Sequence, residues 1–291
     1  MSKVKILTDS TCDLNEEILA KYDIGLVPLY VTVDGKTYHD FTEMKARQMY
    51  DLSEQTGSHP KTAACSIQDM RDFFMEYLTE GYDIIYCGIG AHLSSCYQNA
   101  HLVKDLLVEK HPELEEHIFF VDSQNLSTGI SLVLLKMCKA RDEGKTASEI
   151  VAIGENVVPR VRAQFCVENL DYIYKGGRCS NASRFIGNML HIKPYLKVRD
   201  GLLNVAKKSI GSFKKALNIM IDEFKECFKD VDKEFVFITH SEGDAFAKYI
   251  KEKISDVSDK IENLFDTKAG CVISSHCGEH TIGILYIMKE N

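Results

Sequence analysis

No apolar stretch in this chain approaches the length needed to cross a bilayer. Met1 to Leu7 also lack the apolar region and cleavage pattern of a secretory signal. The cytoplasm is therefore the expected location. The ten cysteines are dispersed from Cys12 to Cys277 without close metal-ligand pairs. They read as buried reduced thiols, and neither a metal site nor a disulfide scaffold is expected. No long basic tract is present and the formal charge is -8, which argues against nonspecific nucleic-acid binding. A glycine-rich phosphate loop, a dinucleotide fingerprint and an internal repeat are all missing, so nucleotide chemistry has no visible seat.

What is present is a chain long enough for two domains, with 45% apolar residues over 291 positions. Val4 to Leu7 reads as a first strand, followed by a polar turn and a helix near Asn15, with Asp13 and Glu16 at capping-box spacing. Val27 to Val33 reads as one strand ending in the Asp34-Gly35 turn. A helix from about Glu43, another from Ile67 to Leu78, strands at Asp83 to Cys87 and Ile118 to Val121, and a helix near Ser127 complete the first half. This alternation predicts a mostly parallel sheet flanked by helices over residues 1–158, with its binding edge at the carboxyl ends of the strands.

Past Val157-Val158-Pro159 the pattern predicts a C-terminal α+β domain over 159–291. Strands are expected at Phe165 to Val167, Ile192 to Val198 and Leu202 to Val205, the last two joined by an Asp200-Gly201 hairpin turn. A helix at Phe213 to Phe228, a strand at Phe235 to Thr239, a helix after Gly243 and strands near Ile261, Val272 and Ile284 follow. The fold class is thus α/β.

Small hydroxyl residues recur where loops enter helices. Thr8 to Thr11, Gly57 to Thr62 and Leu93 to Cys96 all precede amphipathic segments, and a helix start offers free N–H groups to an anion. Ser58, Thr62, Ser94 and Ser95 are the candidate contacts for a carboxylate or phosphate head group, with ordinary helix capping as the competing explanation. His276, in Ser274 to Gly278, supplies a titratable imidazole. Asp9 would repel an anion and is expected to organise backbone, while Arg178 after two glycines suits domain packing. Lys207, Lys208, Lys214 and Lys215 form a basic cluster that could dock an acidic partner or simply face solvent. Leu132 to Leu135 and Met189-Leu190 could pack a core or line a lipid tunnel. Ser94 or Cys96 activated by His276 would instead make a hydrolase or transferase for a small acidic substrate.

Taken together, Ile6 to Asp13, Tyr38-His39-Asp40, Ser58-His59-Pro60, Leu93 to Gln98, Gly176-Gly177-Arg178, Lys193 to Leu196 and Ser275 to Gly278 resemble, in order and spacing, the DegV family of bacterial fatty-acid-binding proteins. The resemblance spans nearly the whole chain. It implies a two-domain protein with a fatty acid buried near the domain interface and no other cofactor. It further implies a noncatalytic carrier that presents the carboxylate to a separate fatty acid kinase, retains the acyl phosphate and encounters a membrane transiently. By that resemblance Ser94 and Thr62 hold the carboxylate, with Ser58 and Ser95 beside them, His276 meets the head group directly or through water, and Arg178 supports the interface. The sequence departs from the family pattern at Gly57, His59, Ser95-Cys96 and Glu279-His280, and carries no arginine in Ser209 to Phe213.

Overall fold

The computed structural model describes residues 3–168, 170–179 and 192–290. The chain opens with β1 (Lys3–Asp9), α1 (Glu16–Lys21), β2 (Ile24–Val27), β3 (Tyr30–Val33), β4 (Lys36–His39) and α2 (Ala46–Thr56). Next come β5 (Lys61–Ala63), α3 (Ile67–Leu78), β6 (Tyr82–Tyr86), α4 (Cys96–Lys110), β7 (Ile118–Phe120), α5 (Thr128–Asp142) and α6 (Ala147–Val157). The second half holds β8 (Val161–Cys166), α7 (Asp171–Gly176), β9 (Ile192–Arg199), β10 (Leu202–Ile210), α8 (Phe213–Cys227) and β11 (Val231–His240). It closes with α9 (Asp244–Lys253), α10 (Ser255–Ser258), β12 (Asn263–Lys268), α11 (Cys271–Cys277) and β13 (Ile282–Met288).

The α/β architecture is as the alternation predicts. A four-stranded sheet in the order β2-β1-β6-β7 is parallel throughout. A six-stranded sheet in the order β10-β9-β8-β13-β11-β12 is antiparallel except for β11 and β12. A small antiparallel sheet, β4-β3-β5, stands apart. Asp34-Gly35 and Asp200-Gly201 make the two tight hairpins, each with both residues at positive φ, the geometry that suits Asp-Gly.

α5 ties the sheets together. It packs on β1 to one side and on β8, β11 and β13 to the other. Eleven of its 15 residues are buried, among them every residue from Leu132 to Leu135. A helix buried on most of its circumference belongs in an interior; its charged residues, Lys136, Lys139, Arg141 and Asp142, gather in the last two turns, and these leucines are core. Along β11 the two-residue period sends Phe235 and Phe237 into that shared core while Val236 and Ile238 face a second core under α8 and α9. The expected boundary at 158/159 lies in the turn between α6 and β8.

Three local expectations are corrected. Val27 to Val33 is two strands in two sheets, because Pro28 offers no N–H to a ladder and the Leu29 N–H donates to Ser10 Oγ at 3.1 Å. Asp13 does not cap α1; Asn15 does, accepting from the Ile18 N–H at 2.9 Å. The strand expected near Val272 is the helix α11. Its first N–H groups are taken by distant carboxylates, Gly270 donating to Asp13 at 2.8 Å and Cys271 to Asp40 at 2.7 Å.

Candidate functional site

Local chemistry places each polar group of the site. β5 carries Thr62 after the Gly57 turn, where α2 ends in a left-handed residue at φ 68°. Ser94 and Ser95 precede α4, whose first-turn N–H groups and positive dipole end face their loop, with the Ser95 side chain making no cap bond. Arg178 follows α7 and its Gly177 cap, and His276 sits in the last turn of α11. These segments surround a cavity of about 350 Å3 whose walls include Thr62, Ser94, Ser95, Arg178 and His276.

The polar groups are linked. His276 Nε2 and Thr62 Oγ1 are 2.8 Å apart. A methyl group added at Gly176 would stand 2.5 Å from His276 Nδ1, so glycine is required for this close approach. The Arg178 guanidinium donates to the Gly176 carbonyl at 2.7 Å and, more weakly, to the Leu93 carbonyl at 3.4 Å, joining α7 to the serine loop. Ser94 Oγ accepts from the Cys96 N–H at 3.3 Å.

Burial, then the nearby Arg178 and His59, push the His276 imidazole down to about 4, so it is neutral at pH 7. Its Nδ1 is buried without a partner among the described residues. An orphaned N–H is costlier than an orphaned lone pair, which places the ring proton on Nε2, donating to Thr62 Oγ1. The Thr62 hydroxyl proton is then free for an acceptor in the cavity. Arg178 is the one side chain with a fixed charge among the described lining residues. Apolar side chains such as Ile89, Leu126, Phe165, Ile173, Leu203 and Leu285 form much of the remaining wall. A single cation, several hydroxyls and an apolar chamber suit an amphiphile with one anionic end.

The support behind the site is a set of buried carboxylates. Asp9 accepts from Tyr86 Oη at 2.8 Å and from the Ile89 N–H at 3.0 Å, holding the loop after β6 from outside the cavity wall. Asp13 accepts from Ser127 Oγ, and Asp40 accepts from Ser10 Oγ at 2.9 Å. With their bonds to Gly270 and Cys271, these two fix the start of the helix that carries His276. Neither role was foreseen from the sequence, although both Asp13 and Asp40 stand inside segments that carry the family resemblance.

Other expected residues lie elsewhere. Ser58 is turned away from the cavity, its Oγ accepting from the Asp34 N–H at 3.1 Å. Lys207 pairs with Glu223 at 3.4 Å and Lys214 lies 5.0 Å from the Tyr249 ring centre. Lys208 shares β10 with Lys207, and Lys215 is in the first turn of α8; none of the four lines the cavity. Met189 and Leu190 lie outside the described residues. The hydrolytic arrangement is not assembled, since His276 Nε2 bonds Thr62 rather than Ser94 or Cys96. Cys96 is fully buried and burial raises its thiol to about 12, which leaves no thiolate at neutral pH.

Among the described residues no helix is long and apolar enough to cross a membrane, and no group of three or more potential ligands could hold a metal ion. The DegV family model matches residues 3–289. A DegV domain-containing protein of Clostridium acetobutylicum is 34% identical over 292 residues, covering 99% of this chain and all of that protein. Among solved structures, a fatty-acid-binding DegV family protein from Thermus thermophilus superposes with TM-score 0.88 at 25% identity, covering 99% of this chain and 100% of the other. A stearic-acid-binding protein from Eubacterium ventriosum gives TM-score 0.85 at 26% identity, covering 99% of both chains.

Proposed function

Because the chain belongs to the DegV family, we propose that it is a carrier that buries the acyl chain of a long-chain fatty acid in this cavity. The observation that carries the reading is the cavity itself, apolar through much of its wall and polar where Thr62, Ser94, Ser95, Arg178 and His276 meet. The fatty-acid binding of the Thermus and Eubacterium relatives supports it. In this reading the tail supplies affinity and the head supplies orientation. Ten buried methylenes contribute about 8 kcal/mol at about 0.8 kcal/mol each, before ordering costs. A hydrogen bond to a charged head contributes about 1.5–3 kcal/mol.

The carboxylate accepts from the Thr62 hydroxyl and from Ser94, with Ser95 and the α4 N-terminus beside it and Arg178 balancing its charge. A neutral His276 fixes the Thr62 rotor, and gains a proton more readily when the head group becomes more negative. Nothing in this arrangement activates a nucleophile, so phosphoryl transfer falls to a separate cytoplasmic fatty acid kinase to which the head group is presented. The protein would hold the resulting acyl phosphate and exchange its cargo in brief encounters with a membrane. The lysines of β10 and the first turn of α8 are its candidate partner contacts.

Native mass spectrometry of the purified protein, followed by denaturing extraction and lipid analysis, tests the carrier reading. Stoichiometric recovery of a fatty acid is expected. A ligand-free protein that also failed to retain added oleate would overturn it, and partner-free turnover lost in both Ser94→Ala and His276→Gln would replace it with an enzyme.

A further inference from the structure

A second cavity lies where the six-stranded sheet splits. β8 pairs with β9 only through Gln164 to Cys166 against Tyr195 to Lys197. Beyond that point β8 stays with β13 as far as Val161, and β9 stays with β10 as far as Arg199. The two strands therefore part, and their facing edges lose ladder partners. The wedge between them encloses about 470 Å3.

Its chemistry differs from that of the acyl chamber. Arg162, Lys197 and Arg199 line it together with Gln164, and the lining carboxylates are Asp200 and Glu223. Glu223 is engaged by Lys197 and by Lys207 at 3.4 Å. Arg162 is folded back through one nitrogen, donating to the Pro159 and Val161 carbonyls at 2.9 and 3.0 Å, which leaves its other donors available. Gln164 is only 1% exposed. Its Oε1 accepts from the Tyr195 hydroxyl at 2.6 Å, yet its Nε2 has no acceptor among the described residues. Gln164 belongs to the wall of this chamber, and its buried amide N–H, beside a lining of two guanidinium groups, Lys197 and two carboxylates, lacks an oxygen acceptor; main-chain groups at the split edges add further polarity.

We propose that this wedge is a binding site for a small oxyanion, the carboxylate or phosphate group of a soluble metabolite, held by Gln164 Nε2 and the guanidinium groups of Arg162 and Arg199. The site is separate from the acyl chamber and does not depend on the fatty-acid reading. The two cavities share one loop as a wall: Gln124 and Asn125 line the wedge, while Leu126 and Ser127 line the chamber.

The test is an NMR titration of the 15N-labelled full chain with sodium phosphate and, separately, sodium acetate at constant ionic strength, with sodium chloride as the control. A saturable shift of the Gln164 side-chain amide is expected. The Arg162→Ala, Arg199→Ala double variant should raise Kd at least tenfold while leaving the remaining amide spectrum and fatty-acid retention unchanged. Saturation by phosphate alone assigns a phosphate-bearing ligand, and by acetate alone a carboxylate. Linear shifts, shifts matched by chloride, or an unchanged Kd in the double variant would mean an adventitious ion only and overturn the proposal.

Discussion

His276 should make the ligand-free protein acid-sensitive in a way that one substitution removes. The imidazole is buried and held down to about 4 against an ordinary 6.5. The unfolded chain therefore binds a proton between those values that the folded chain refuses. The stabilising difference is complete above pH 6.5 and is lost as pH falls through 4. At about 1.4 kcal/mol per unit, this group should withdraw about 2 kcal/mol by pH 5 and about 3 kcal/mol by pH 4. Urea unfolding of delipidated wild type and His276→Gln, repeated from pH 7 to pH 4, isolates the effect because the other titrating groups are common to both. The variant should lose less stability on acidification by those amounts, and the wild-type ring should titrate near 4 by NMR. Parallel stability curves, or a ring midpoint near 6.5, would refute the burial argument and with it the neutral imidazole behind Thr62. Loading the protein with oleate should move the ring midpoint upward, since a nearby carboxylate favours the imidazolium.

Four further substitutions probe the packing. Gly176→Ala should push the imidazole off Thr62 and weaken fatty-acid binding roughly tenfold, measured by displacement of a fluorescent fatty acid, because its methyl would stand 2.5 Å from Nδ1. Asp40→Ala leaves the Cys271 N–H and Ser10 hydroxyl without their acceptor and should cost about 2–4 kcal/mol in urea unfolding, with an unchanged midpoint opposing the anchoring role. Ala64→Leu on the cavity wall should shift the retained lipids to shorter chains by mass analysis; Leu132→Ala in α5 should cost about 2–5 kcal/mol without altering that lipid profile.

Much of the architecture is written in local pattern. Asp-Gly pairs mark both tight hairpins, and the regular spacing of apolar strands and amphipathic helices marks the parallel sheet. What local pattern misses depends on distant partners. Val272 lies in a β-branched apolar run, and only carboxylates brought from Asp13 and Asp40 settle it as a helix. Pro28 splits a run whose hydrophobicity reads as continuous. At the site, hydroxyls before helices point to Thr62, Ser94 and Ser95, which do reach the cavity, but the same signal points to Ser58, which serves a turn instead. The pairing of Thr62 with His276 spans 214 positions and has no local signature. Tail-facing residues are equally silent, since a leucine against a ligand and a leucine against a helix obey the same periodicity.

The placement of α5 bears on how the protein comes apart. Its amides are screened from solvent by a sheet on either side, so hydrogen exchange there has no shallow route through the fraying of one layer. The slowest-exchanging amides should therefore cluster in this central helix and report the free energy of whole-chain unfolding. An expression boundary drawn at residue 158 would leave one fragment with a bare helix face and the other with a bare sheet.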